Sequence, residues 1–421
     1  MKICILGAGL QGRVAAQDLA QNNHQVTVID INKDNLSKVK RETLRNAQSD
    51  KSAGIKTKQF DVTKKKELIK FIRDFDIVVG ALPAYFGFYS MQCAIEAKVD
   101  MADMSYSEQN PFLLDKQAKK NKIRIVPDAG YAPGLSNILI GEAYREFNEQ
   151  IHHRDTEKTQ KKNLTGSKAN KISRLRILVG GIPQNPIPPF NYKYTWSPND
   201  LVAEYTRPAR IVNNYKVVTT EALTGIEKFR VPKIGELECF YTDGLRTLIQ
   251  SFKDIKNMEE KTVRYSGHAQ LLKELLNYGF APGQDNPFTN SKIQPKDFIL
   301  DFLKDAFSNV RQGFSLANKS RPKGLLYNIS DELDLTFLMI DIKGSKKSRR
   351  YTCIDYYDKK NKITSMARMT AYSGSIITQC LKNYPEFGVI APEKLGIYKD
   401  TCNYIKREIA KRNIIIRVKN Y

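Results

Sequence analysis

Three glycines and one carboxylate near the N-terminus carry the clearest chemical signal in the chain. Gly7, Gly9 and Gly12 are spaced G-x-G-x-x-G, and Asp30 closes the next apolar run. The first glycine allows a tight turn, the second lets backbone approach a pyrophosphate, and the third lets a helix sit close to a strand. Leu10 and Gln11 share that loop, where a helix N-terminus offers unpaired N–H groups and a positive dipole end to phosphates. A carboxylate at Asp30 suits ribose hydroxyls and repels a 2′-phosphate, which favours NAD. Lys33, Lys38 and Lys40 follow closely enough to leave NADP open. The alternative is a tight turn in an unrelated doubly wound fold.

These residues need a strand, a helix and a strand to hold them. The run Ile3, Cys4, Ile5, Leu6 reads as a buried strand; Val14, Ala15, Leu19 and Ala20 suit a helix facing a sheet; Val26 to Ile29 reads as the second strand. The alternation continues, with helices expected at 33–47, 63–73, 88–98 and 111–121 and strands at 55–61, 76–82, 99–101 and 123–126. Strands alternating with helices predict an α/β fold, a Rossmann-type doubly wound parallel sheet. Ligands of such sheets bind beyond the carboxyl ends of the strands. The groups expected there are Leu82 and Pro83 against a cofactor, Asp103, Ser105 and Tyr106 in a substrate pocket, and Asp128 and Gly130 beside a nicotinamide. Asp128 either polarises an amine or a water, or caps the turn that opens a helix near Gly134.

Beyond residue 175 the pattern turns β-like, with strands expected at 175–180, 217–220, 237–241, 335–342 and 351–357 and helices at 271–278 and 295–308. This predicts a second α+β substrate and dimerisation domain with a mixed or antiparallel sheet. The expected division is 1–135, 136–370 and 371–421, the last segment returning partly to the first domain. Residues 151–174 are polar and basic, an exposed insertion that carries His152 and His153.

Composition narrows the class. The chain has 421 residues, a net charge of +23 and a mean hydropathy of -0.46. No apolar run approaches the ~20 residues of a membrane span, and the N-terminus reads as a core strand rather than a signal peptide. Six scattered cysteines predict reduced thiols and a cytoplasmic protein. No Cys/His spacing matches a zinc site, so no metal is expected. The excess lysine is spread along the chain, which speaks against a nucleic-acid partner and for a field that attracts anionic ligands.

Seven blocks, in order, resemble the saccharopine dehydrogenase family and within it most closely the lysine 6-dehydrogenases. They are PDAGYAPGLSN (127–137), VGGIPQNPIPPFNYKYTWSP (179–198), EYTRPA (204–209), GELECFYTDG (235–244), KTVRYSGH (261–268), ITSMARMTAYSGS (363–375) and GVIAPEKLG (388–396). The turn at Leu82 and Pro83 is more similar to that of the saccharopine reductases. The resemblance implies a homodimer, a small amino-acid substrate and hydride transfer between a carbon bearing nitrogen and NAD or NADP. The first expectation is oxidative deamination of the lysine side-chain amine. The alternatives are a saccharopine reductase or other opine-type dehydrogenase, and a nicotinamide-nucleotide-binding protein without turnover.

Such a reaction needs a base for the nitrogen's proton and a cation, ideally a guanidinium fork, for the substrate carboxylate. Arg207 aligns with the carboxylate-binding arginine of saccharopine reductases, a residue that the lysine 6-dehydrogenase pattern lacks. Arg264 is a second candidate for a carboxylate. His268 is expected either as the base, with Asp128, or as a cap or structural donor. Asp243-Gly244 is expected as a turn near the same pocket, Trp196 as a wall, and Tyr372 and Glu393 as packing.

Overall fold

The computed structural model describes residues 1–47, 54–149, 171–188, 190–193, 198–277 and 333–421. The N-terminal alternation folds as expected. Strands β1 (Lys2–Leu6), β2 (Gln25–Asp30), β3 (Lys56–Gln59), β4 (Ile77–Gly80), β5 (Asp100–Asp103) and β6 (Arg124–Val126) form a parallel sheet. Its order is β15-β6-β5-β4-β1-β2-β3, where β15 is Gly388–Val389. The chain winds outward from β1 to β3, then restarts at β4 on the other side of β1. That reversal opens the crevice where such sheets bind ligands.

Both faces of its central strands are covered, so β1 and β4 are apolar at successive positions. Ile3 and Ile5 pack in a core with residues of the helices Leu10–Gln21, Leu135–Glu149 and Ser365–Leu381. Cys4 and Leu6 point the other way, into a core shared with Lys65–Ile72 and Gly87–Ala97. Each such side chain contributes about 1.5–3 kcal/mol on full burial.

The second sheet has nine strands: β7 (Ile172–Pro183), β8 (Ala209–Asn213), β9 (Lys216–Thr220), β10 (Glu227–Val231), β11 (Gly235–Tyr241), β12 (Asn257–Tyr265), β13 (Asp334–Gly344), β14 (Ser348–Tyr356) and β16 (Ile416–Asn420). The path runs β10-β11-β12-β7-β13-β14-β16, with β8 and β9 attached beside β12. Among the described residues only β12 and β7 run parallel; the other neighbours are antiparallel. The sheet is therefore mixed.

Three expectations change. Residues 172–174, assigned to a polar insertion, start β7, because that strand is paired on both sides, by β12 and β13. The expected helix at 111–121 is a 3-10 turn (Pro111–Leu114) followed by a short helix, Asp115–Lys120. One helix, Ser365–Leu381, runs across the expected division at 370. It starts where Asp334 accepts the N–H groups of Ser365 and Met366 and Thr364 accepts that of Ala367, the usual way of satisfying first-turn donors.

Parts of the C-terminal segment lie against the first unit. The helix Ser365–Leu381 packs on Leu10–Gln21, β15 pairs with β6, and Arg412 makes a two-pronged ion pair with Asp18 at 2.7 and 2.8 Å. The expected sites at 151–170, including His152 and His153, the helix at 295–308 and Trp196 lie outside the described residues. No described helix is long and apolar enough to cross a membrane, and the described residues contain no cluster of His, Cys, Asp and Glu suited to a metal ion. All six cysteines are free and buried.

Candidate active site

The crevice begins at the glycine loop. Gly7 has φ +100, and a Cβ there would lie 2.5 Å from the carbonyl oxygen of Ala81. A Cβ on Gly12 would lie 2.0 Å from the carbonyl oxygen of Gly7, so only glycine lets the helix seat on the turn. A Cβ on Gly9 would meet nothing within 4 Å. Gly9 caps the helix Leu10–Gln21 without a side-chain hydrogen bond, and its first turn holds no acid. Leu10 and Gln11 thus open a helix with free space and uncancelled dipole in front of it, which fits a pyrophosphate. Asp30 ends β2, and its Oδ2 accepts the N–H of Ala8 at 2.7 Å while Oδ1 accepts that of Asn32 at 2.7 Å. The acid therefore fixes the loop from below. Leu82 lies against Gly7, and Pro83 is exposed at the same strand end.

A cleft of about 190 Å³ opens beside this loop. Its walls include Gln11 and Asp128, Gly130 and Pro133 from the first unit, and Glu204, Arg207, Glu260 and Arg264 from the second. The loop after β6 is shaped by Gly134 at φ +127, whose Cβ would strike Gly130, and by a cis bond between Ala132 and Pro133. It opens the helix Leu135–Glu149, as expected. A wider hollow of about 730 Å³ lies on the second sheet, lined by Leu178, Phe337 and Met339 among others. No sequence candidate lines it.

Three residues with left-handed backbone meet at the mouth of the cleft: Tyr106 (φ 57), Asp128 (φ 53) and Arg246 (φ 50). The Arg246 guanidinium donates to both oxygens of Asp128, at 3.0 and 2.9 Å, and to the carbonyl of Ser107 at 2.6 Å. It also stacks 4.3 Å from the centre of the Tyr106 ring. The Tyr106 hydroxyl donates to the carbonyl of Asp243 at 2.6 Å. Backbone strain of this kind persists only where surroundings over-determine it, and it concentrates at functional sites.

The far wall belongs to β12. Alternation along that strand puts Glu260, Thr262 and Arg264 on the cleft face. Arg264 is buried; its Nη2 donates to Glu204 at 2.5 Å and its Nε to the Tyr205 hydroxyl at 3.2 Å. Thr262 is hydrogen-bonded to the other oxygen of Glu204. Glu260 Oε2 lies 2.6 Å from the Thr242 hydroxyl and accepts the N–H of Gly244 at 3.1 Å. Burial pushes the Glu260 carboxyl up to about 8, with the charges of Glu204 and Asp243 acting in the same direction. A Cβ on Gly244 would press within 2.4 Å of Glu260.

The sequence candidates divide. Gln11, Tyr106, Asp128, Gly130, Arg207 and Arg264 share the cleft. Arg207 also pairs with Glu108 at 2.7 Å. Asp103 and Ser105 lie behind the cleft: Ser105 bonds Asp103 Oδ2 at 2.5 Å, and Asp103 Oδ1 packs where a Cβ of Gly80 would be. Burial pushes the Asp103 carboxyl up to about 7. The expectation of His268 as a base is corrected. Its Nδ1 is 2.8 Å from the carbonyl of Phe190, its Nε2 is 2.8 Å from the Tyr205 hydroxyl, and it is fully buried off the cleft. Burial lowers the imidazole to about 3, with Arg264 adding to the effect, so the ring stays neutral and holds Tyr205, the neighbour of Glu204. Sequence reasoning missed Glu204, Arg246 and Glu260. The alternation of Glu260 with Arg264 was a usable signal; the pairing of Arg246 with Asp128 left none.

Two family models divide the chain between them. The saccharopine dehydrogenase NADP binding domain matches residues 3–130, and the saccharopine dehydrogenase C-terminal domain matches 130–415. The chain belongs to the saccharopine dehydrogenase family. Among curated relatives, saccharopine dehydrogenase [NADP(+), L-glutamate-forming] of Saccharomyces cerevisiae is 24% identical over 312 residues, covering 72% of this chain and 63% of that enzyme. Alpha-aminoadipic semialdehyde synthase of Arabidopsis thaliana is 22% identical over 238 residues, 54% of this chain and 21% of that protein. The chain thus spans less than two thirds of the relatives' length. The solved structure of the yeast L-Glu-forming saccharopine dehydrogenase superposes with a TM-score of 0.70 at 19% identity, covering 100% of this chain and 99% of that one. The two share a fold.

Proposed function

We propose that the protein is a nicotinamide-dependent oxidoreductase that acts on the C–N bond of an amino acid, and that its substrate is of the saccharopine, L-glutamate-forming kind. One observation carries the reading: a single cleft joins Gln11 of the nucleotide loop to Arg207 and Arg264. A nicotinamide dinucleotide would be held at the glycine loop by Gly9 and the uncapped helix through its pyrophosphate, and would supply hydride acceptance or donation. Arg207 would take a substrate carboxylate, and Asp128, locked by Arg246, would line the nicotinamide side of the cleft. Residues 1–135 bear the nucleotide and 136–370 the substrate. Asp30 at the end of β2 favours NAD, although the yeast relative is named for NADP(+).

A second reading, oxidation of the lysine side-chain amine, draws support from the acidic cleft lining, where Asp128, Glu204, Asp243 and Glu260 face Arg207 and Arg264. Absorbance of the reduced nucleotide separates the two. The pure protein is mixed with NAD or NADP and with saccharopine, lysine, ornithine or simple α-amino acids. Growth with saccharopine supports the first reading, and growth with lysine alone transfers the function to the second. Under the first reading Arg207→Ala raises KM for saccharopine by ~10–100-fold, the value of a charged hydrogen bond; an unchanged KM removes Arg207 from substrate binding. The family resemblance implies a homodimer, which is part of the proposal and is checked by light scattering.

A further inference from the structure

Four carboxylates line the cleft, and three of them are committed to a guanidinium. Asp128 is held by Arg246 at 2.9 Å, Glu204 by Arg264 at 2.5 Å, and Asp243 by Arg210 at 2.8 Å. Among the described residues Glu260 has no such cation; its partners are the Thr242 hydroxyl and the Gly244 N–H. It is buried on the wall formed by β12, facing the same space as Gln11.

Two hydroxyls link this carboxyl to the next pair along the wall. The Thr242 hydroxyl donates to Glu260 Oε2 at 2.6 Å and lies 3.0 Å from the Thr262 hydroxyl, which in turn donates to Glu204 Oε1. Burial without a cation favours the neutral form of Glu260.

We propose that Glu260 is the catalytic residue that exchanges a proton with the substrate amine. The inference rests on the reading that the cleft holds an amine on the carbon that is oxidised, and it serves both substrates considered above. In the oxidative direction an N–H bond of the ammonium breaks and the O–H bond of Glu260 forms. The freed lone pair makes the C=N bond as the neighbouring C–H gives its hydride to oxidised nicotinamide. In reduction the neutral carboxyl returns the proton to nitrogen. The groups facing Glu260 are Asp243 with Arg210 from the turn after β11 and from β8, Glu204 with Arg264, and Asp128 with Arg246. The pairs are internally neutral, so Glu260 is the group of the cleft wall free to change charge. Its titration near 8 lies where amine chemistry at mildly alkaline pH needs it.

The test uses Glu260→Gln, which keeps the shape and cannot titrate. Without any substrate, infrared difference spectra of wild type taken on either side of pH 8 are expected to show a protonated carboxyl band lost at the higher pH, and Glu260→Gln is expected to lack it. With the substrate that wild type turns over, kcat of the variant falls by ~10²–10³-fold and its pH limb disappears, while NADH affinity and melting temperature hold. Thr242→Val, a second variant, moves the pH limb and the infrared midpoint together. A band retained in Glu260→Gln, or turnover with an unchanged profile, overturns the proton transfer alone. A wild type inert toward every amine, yet carrying the Glu260 band, overturns the amine reading and the transfer with it.

Discussion

The nucleotide crevice and the cleft beside it adjoin, yet they are built from different materials. The crevice is made of backbone: glycines that leave room, an uncapped helix, a strand end. The cleft is made of side chains held in pairs, Asp128 with Arg246 and Glu204 with Arg264, brought together from segments far apart in sequence. A site made of backbone is specified by local residues and their spacing. A site made of paired side chains is specified only when two sheets and a long loop are in place.

The contrast can be broken by substitution. The largest effect is expected from Gly12→Val, because the space at its Cβ is already taken by the Gly7 carbonyl. Helix and turn must separate, and both the thermal transition and NADH binding should be lost; a folded variant that binds NADH would show that the loop tolerates a side chain. Next comes Arg246→Met, which leaves the buried Asp128 charge without its partner. Removing one member of such a pair costs about 3–5 kcal/mol, measurable by urea denaturation. A loss below ~1 kcal/mol, the range of exposed pairs, would place this clamp on the surface in energetic terms.

Gly9→Ala sharpens the comparison. Its Cβ points into free space, so stability should hold while NADH binding weakens ~10-fold or more, about 1.4 kcal/mol. Equal binding would move the pyrophosphate away from the loop. The smallest effect is a tilt with pH. Asp103 is raised in the fold from 3.8 to about 7 by burial, so the fold favours its neutral form. Its stabilising share is complete below 3.8 and is lost as pH rises through about 7. Asp103→Asn, which cannot ionise, should therefore gain on wild type in denaturation midpoint as the pH is raised across that window. A difference that is flat with pH would show that Asp103 does not hold a proton.

The sequence alone yielded the parallel sheet and a second sheet, mixed or antiparallel, because each rests on a periodicity or a run of apolar residues. The glycine loop was legible for the same reason. Legibility fell where partners decide. Arg264 was found on a polar block, but its pairing with Glu204 depends on the position of the helix Pro198–Thr206 beside β12. His268 looked like a base because a lone histidine followed a glycine, and spacing says nothing of the direction in which a ring points. Glu393, read as packing, is a buried carboxyl that accepts from Asn137, Thr247 and Ser251. Those donors come from two segments that sequence patterns do not connect. Residues 172–174 were read as polar chain because charge was weighed locally, whereas strands on both sides fixed their conformation.

The two-residue strand β15 has a consequence for how the protein is made. The sheet that cradles the nucleotide is closed at one edge by Gly388–Val389, and the helix Ser365–Leu381 covers one of its faces. On a ribosome, the first six strands emerge early, with the edge of β6 unpaired and part of a face bare. They must wait until the second sheet's strands up to β14 have been made before either is covered, and closing so long a loop is an entropic debt settled late. The nucleotide cradle, made before the second sheet, is thus finished after it. A nascent chain cannot complete it until the segments that build the cleft beside it have already left the exit tunnel.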